Sequence, residues 1–159
     1  MKIIFLDFDG VLNSASYLLA NPGGMDKLDP TAIERLNVII DRTCAKVVIS
    51  STWRLLYPLQ DLRARLKAAG FRGEILDCTP QLSADAARGQ GFLFTRCEEI
   101  QTWLKAHPDP IESFVILDDA DLHDTPHSEL HARIIKTDFT TGLLDEHIDW
   151  AIMLLDPSD

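Results

Sequence analysis

Asp7 and Asp9 stand with only Phe8 between them at the end of an apolar run, in the stretch IIFLDFDGVLN that spans residues 3–13. Carboxylates at this spacing at the end of a strand can converge on one small volume, and their repulsion must be relieved by a proton, a cation or both. The pair calls for a partner such as Mg²⁺. Two further apolar stretches end in polar clusters: Lys46-Val47-Val48-Ile49 runs into Ser50-Ser51, and SFVIL runs into Asp118-Asp119. A single pair of aspartates is a common surface feature, but three polar clusters at the ends of buried strands point to one site.

The elements that must position these groups are legible in the hydrophobic pattern. Ile3-Ile4-Phe5-Leu6 is continuous rather than alternating, as in a strand buried on both faces of a parallel sheet, and Gly10 ends it. In such a sheet the carboxyl ends share one edge, where open α/β sheets bind ligands. Residues 13–28 carry Asn, Ser, Pro22, Gly23 and Gly24 and read as a loop or flap near the site. Asp29 as N-cap and Pro30 in the first turn open a helix whose apolar face is Ile33, Leu36, Ile39 and Ile40. Leu59 to Ala69 reads as a helix closed by Gly70, and GEILDC as a strand. Residues 79–94 show no clear period. Helical order returns at Thr95, whose spacing to Glu98 makes a capping box, followed by Ile100, Trp103 and Leu104 on one face. Arg133 to Lys136 reads as a fifth strand, and Leu144, Ile148, Ala151, Ile152 and Leu155 give a last helix its stripe. Strands alternating with helices imply a three-layer α/β/α sandwich around a Rossmann-like, mainly parallel sheet of about five strands. The expectation is a single domain over residues 1–159.

Bulk properties bound the function. The 159 residues suffice to bury roughly two-thirds of the unfolded surface in one domain. The composition, 46% hydrophobic and 25% charged, is that of an ordinary globular chain without low-complexity tracts. The first apolar run is far too short for a signal peptide, and nothing approaches the roughly 20 apolar residues of a membrane span, so a cytoplasmic location is expected. Cys44, Cys78 and Cys97 lack metal-type spacing and read as reduced thiols in or near the core. A net charge of −10 argues against a broad phosphate-binding face for duplex DNA or an anionic membrane. It leaves room for a small anionic substrate, because an arginine and a metal reverse the field inside a pocket.

DFDGVL, a strand ending in serine, a basic residue opening a later helix, and VILDD, in that order, resemble the four motifs of the haloacid dehalogenase superfamily. The resemblance covers the core from residue 3 to about residue 121, and SSTWR, RCEEIQTWL and VILDDAD are similar to the small phosphatase-like domains found beside RNA-repair enzymes. It implies that Asp7 attacks phosphorus to give an aspartyl phosphate, and that Asp9 protonates the leaving alcohol and then takes a proton from water. A dehalogenase's halide needs no proton donor, so Asp9 favours phosphoryl chemistry. Mg²⁺ would be held by Asp7, the backbone carbonyl of Asp9 and a carboxylate of the second pair. Asp119 is the favoured direct ligand, with Asp118 binding through water or orienting other groups. Ser50 would bind a phosphoryl oxygen, Ser51 being the alternate if the strand ends one residue later. The lysine of the third motif is missing from its place, and Arg96 is the substitute, its guanidinium supplying the charge in a fork matched to phosphate. The bland alternative for Arg96 is a surface pair with Glu98 or Glu99.

Other residues carry weaker signals. Trp53 reads as core or loop packing rather than a base-stacking platform. Arg54 either binds a second substrate phosphate or braces the acidic pairs. Asp121 reads as a solvated loop acid. His123, His127 and His131 are spaced by four, but Pro126 interrupts any shared helix and no zinc is expected. Too few residues separate the first two motifs for a folded cap, and the same holds before Arg96. A capless site is open, which in this superfamily implies bulky substrates such as polynucleotide ends or phosphoproteins unless oligomerisation supplies a lid. The leading expectation is thus a Mg²⁺-dependent phosphomonoesterase for a nucleotide, polynucleotide end or other phosphate ester. The alternatives are a phospho-acceptor signalling module, like a receiver domain, and a degenerate site kept for partner binding. Receiver domains place the acceptor after a middle strand, and the DxD order here favours turnover.

Overall fold

Ile3, Ile4, Phe5 and Leu6 are all fully buried in the computed structural model, as a strand covered on both faces requires. The structure describes residues 1–82, 92–124 and 127–157. β1 (Lys2–Leu6) lies at the centre of a five-stranded, all-parallel sheet of order β3-β2-β1-β4-β5, with β2 at Lys46–Ile49, β3 at Ile75–Cys78, β4 at Ser113–Asp118 and β5 at Ile134–Lys136. The chain leaves β1 towards β2 and β3, then returns to the other side of β1 as β4. That reversal is the switch point at which open α/β sheets form a crevice.

Alternate residues of β1 build two cores. Ile4 and Leu6 pack with α2 (Pro30–Thr43), α3 (Leu59–Ala68) and α6 (Asp145–Leu155); Ile3 and Phe5 pack with Cys97, Ile100 and Trp103 of α4 (Phe92–Ala106) and with Leu130 of α5 (Ser128–His131). This is the expected three-layer α/β/α arrangement, with the sheet as its middle layer. Asp29 caps α2 by accepting the Thr31 N–H at 2.8 Å, and Pro30 occupies the first turn. No helix among the described residues is long and apolar enough to cross a membrane.

Several local expectations need correction. Residues 13–28 are not loop throughout: α1 (Ala15–Ala20) forms there because Ser14 Oγ accepts the Tyr17 N–H and caps it. α4 begins at Phe92, so Thr95 lies inside the helix and not at its cap. Cys44 is exposed rather than core, as the left-handed residue (φ 55°) that ends α2; Cys97 is buried, and all three cysteines are free thiols. Most of the segment without clear period (83–91), and the Pro126 break between the histidines, lie outside the described residues.

α6 is held at its start by the Leu144 N–H, which donates to His147 Nδ1 at 2.9 Å. Burial lowers the His147 pKa, with Glu146 opposing. The unfolded chain therefore takes up the proton first on acidification. This stabilisation is complete above the ordinary histidine pKa of about 6.5 and is lost as pH falls toward the lower folded-state value. His147→Ala is expected to cost about 1 kcal/mol at pH 8 and to flatten the loss of stability between about pH 7 and pH 5, read by denaturant unfolding at each pH.

Candidate active site

The register of the three central strands brings the polar clusters level. Leu6 pairs with Ile49 on β2 and with Leu117 on β4, so the next residues, Asp7, Ser50 and Asp118, stand in one row. Backbone hydrogen bonds continue the ladder through that row: Asp7 N–H to Leu117 O and Ser50 N–H to Leu6 O, both 3.0 Å. A strand pattern that ends in polar residues on three neighbouring strands is thereby converted into one pocket floor.

Arg96, from the first turns of α4, reaches into this pocket. It is buried, and its Nη1 lies 2.5 Å from Asp118 Oδ2 and 3.1 Å from Asp7 Oδ2. It is not the surface pair with Glu98 or Glu99 that a helix-start arginine would otherwise form. Burial works to lower the Arg96 pKa, but the charges of Asp118 and Asp7 outweigh it and the group is held firmly protonated. Burial pushes the Asp118 carboxyl up to about 7, the Arg96 charge opposing and Asp7 adding to the rise. The second oxygen of Asp118 accepts the Ala120 N–H at 2.9 Å. Asp7 Oδ1 accepts the Phe8 N–H at 2.8 Å.

Asp119 is only half-buried, and its carboxyl pKa is raised, by burial first and by the Asp7 charge second. It packs against the turn at Gly10, where a Cβ would stand 2.4 Å from Asp119 Oδ2 and where φ is +71°. Glycine is required there twice, for the left-handed backbone and for the space. Asp7, Asp118 and Asp119 each offer a carboxylate oxygen within 4.8 Å of the others, and they form the one group able to share a cation among the described residues. Three hard oxygen donors at that spacing fit a divalent cation such as Mg²⁺.

Asp9 is held quite differently. Its Oδ1 accepts from the Asn13 amide at 2.8 Å and its Oδ2 from the Trp53 indole N–H at 3.0 Å. Asn13 is delivered by the tight turn in which Phe8 O accepts from the N–H groups of Val11, Leu12 and Asn13. Trp53 is buried edge-on to Phe8, with ring centroids 5.2 Å apart. Packing was the sequence expectation for Trp53, and it does pack, but its polar edge also grips Asp9. Sequence reasoning missed both Asn13 and Trp53 as partners of Asp9. The one available signal was that a buried indole N–H needs an acceptor.

The serines divide. Ser51 Oγ accepts the Trp53 N–H at 3.3 Å and caps the 3₁₀ turn Thr52–Leu55. Ser50 Oγ is fully buried without a hydrogen-bond partner among the described residues. Such an orphan keeps hydrogen-bonding capacity that no described residue uses. Arg54 donates to the carbonyls of Ser50 and Ser51 at 2.9 Å and of Thr79 at 3.0 Å, and pairs with buried Glu99 of α4. Its fork thus clamps the loop after β2. Asp121 is exposed and paired with Lys136 at 2.8 Å. His123 and His131 have ring centroids 5.5 Å apart but share no cation-holding group with other ligands among the described residues.

The arrangement offers a buried carboxylate, a fixed guanidinium, a hydroxyl without a partner among the described residues, an acid cluster able to hold a cation and a second carboxylate held by neutral donors. No curated protein and no solved structure matches the chain. The family model described as the HAD domain in Swiss Army Knife RNA repair proteins matches residues 3–148, nearly the whole chain. The chain belongs to the HAD domains of Swiss Army Knife RNA repair proteins.

Proposed function

We propose that this domain is a Mg²⁺-dependent phosphomonoesterase working through an aspartyl phosphate on Asp7. The observation that carries the reading is the buried Arg96 guanidinium held between Asp7 and Asp118, beside a Ser50 hydroxyl with no partner among the described residues. Family membership supports HAD-type phosphoester chemistry at these positions.

Asp7, Asp119 and the Asp9 carbonyl would hold Mg²⁺, with Asp118 orienting Arg96. When bound, the ion shields the nucleophile from the charge of the phosphate. Asp7 attacks phosphorus as the bond from phosphorus to the ester oxygen breaks, and Asp9 gives its proton to the departing alcohol. Water then attacks the same phosphorus, Asp9 takes the water's proton, and the Asp7 carboxylate leaves with release of phosphate. Ser50 donates its hydroxyl to a phosphoryl oxygen, and Arg96 places its charge where oxygens accumulate charge in the transition state. Asn13 and Trp53 keep Asp9 aimed, while Arg54 braces the Ser50-Ser51 loop. The substrate is a nucleotide, a polynucleotide end or another phosphate ester.

Phosphate release from a panel of esters should depend on Mg²⁺, stop with EDTA, and fall by about 10³-fold or more in Asp7→Asn. No release, with a stable phosphate retained on Asp7 after an acyl-phosphate donor, would make the domain a phospho-acceptor module instead. Trp53→Phe keeps the ring but removes the N–H; it is expected to lower kcat about tenfold with KM little changed, by steady-state kinetics. Gly10→Ala forces a Cβ into Asp119 and strains a left-handed residue. It should weaken Mg²⁺ binding at least tenfold, measured by calorimetry, and destabilise the fold by about 1–3 kcal/mol.

A further inference from the structure

The residues that handle phosphate leave one face of Asp9 unaccounted for. A cleft of about 390 Å³ opens beside it and shares Asp9, Asn13 and Trp53 with the site. That volume lies within the usual range for small-ligand sites, about 300–1,000 Å³. Its other walls are Leu18, Met25, Leu56, Tyr57 and Phe139. Three of these are large apolar side chains left mostly in water: Met25 at 73%, Leu56 at 74% and Phe139 at 53% exposure. The charged residues lining the cleft are both acids, Asp9 and Asp26. Asp26 is engaged by Arg65 at 3.0 Å, and that guanidinium lies over the Tyr57 ring, 4.1 Å from its centroid.

Chemistry links this cleft to the reaction. The group that protonates a leaving alcohol must touch that alcohol's oxygen. With the phosphoryl group over Asp7, Ser50 and Arg96, the remainder of the ester extends past Asp9, and the cleft is the space bordered by Asp9. Aromatic and long apolar walls favour a flat ring over a small polyol.

We propose that the cleft binds the leaving alcohol of the substrate, and that this alcohol carries a flat ring system, as in an aryl-alkyl or nucleoside monophosphate. The assignment rests on the phosphomonoesterase reading above and narrows it. Leu56, Phe139 and Tyr57 then set specificity.

The test compares esters of matched leaving-group acidity, so that only the cleft distinguishes them. kcat/KM for 2-(1-naphthyl)ethyl phosphate should exceed that for ethyl phosphate about tenfold or more. Adenosine 5′-monophosphate against ribose 5-phosphate reads whether a nucleobase serves as the ring. In Leu56→Ser combined with Phe139→Ser, both at exposed positions, the naphthyl-to-ethyl ratio should fall about tenfold. Equal kcat/KM for the naphthyl and ethyl esters, or a ratio unmoved in the double variant, overturns the cleft assignment while leaving the phosphatase reading intact. Absence of release from every ester, ethyl phosphate included, overturns both.

Discussion

The interaction on which the site depends is the buried guanidinium of Arg96 between Asp7 and Asp118. Three carboxylates gather at the end of β1 and β4, and two like charges about 4 Å apart repel by roughly 4 kcal/mol at the effective dielectric of a protein edge. One fixed cation inside the row makes the cluster tolerable before any metal or substrate arrives. Removing one partner of such a buried pair leaves an uncompensated charge, which is why it is a positional device more than a source of net stability.

The same helix supplies the counterpart. Glu99, one turn beyond Arg96 on α4, pairs with Arg54, and Arg54 in turn holds the carbonyls of Ser50, Ser51 and Thr79. α4 thus carries a cation for the β1–β4 side of the edge and an anion for the β2 side. Its register is set by Cys97, Ile100 and Trp103 in the second core, with Trp103 packed edge-on to Phe5 at 5.5 Å. Packing behind the sheet therefore fixes the electrostatics at its edge, where the Ser50 hydroxyl has no partner among the described residues.

Asp7 and Asp9, two residues apart, receive opposite treatment, and this separates their roles. Asp7 is buried against a full positive charge, the Arg96 guanidinium. Asp9 is held by an amide and an indole, neutral donors that orient it. The Gly10 turn permits both, because it bends the chain with a left-handed residue and leaves room for Asp119.

The composition of the site was determined by the sequence itself. Continuous apolar runs specify strands buried on both faces, parallel strands must end at a common edge, and so Asp7, Ser50 and Asp118 had to meet once those runs were recognised. The switch-point location and the three-layer architecture follow from the same alternation. Tertiary structure alone decided the partners. Whether Arg96 pairs with an acid on its own helix or with Asp7 and Asp118 depends on the rotation of α4, and helical periodicity cannot give that angle relative to the sheet. Ser50 and Ser51 are adjacent and chemically alike; only the last ladder hydrogen bond separates the capping hydroxyl from the free one. The grip of Trp53 on Asp9 joins residues 44 positions apart. Such long-range side-chain contacts leave no local period in the chain, because they are set by how the elements pack and not by how each one forms.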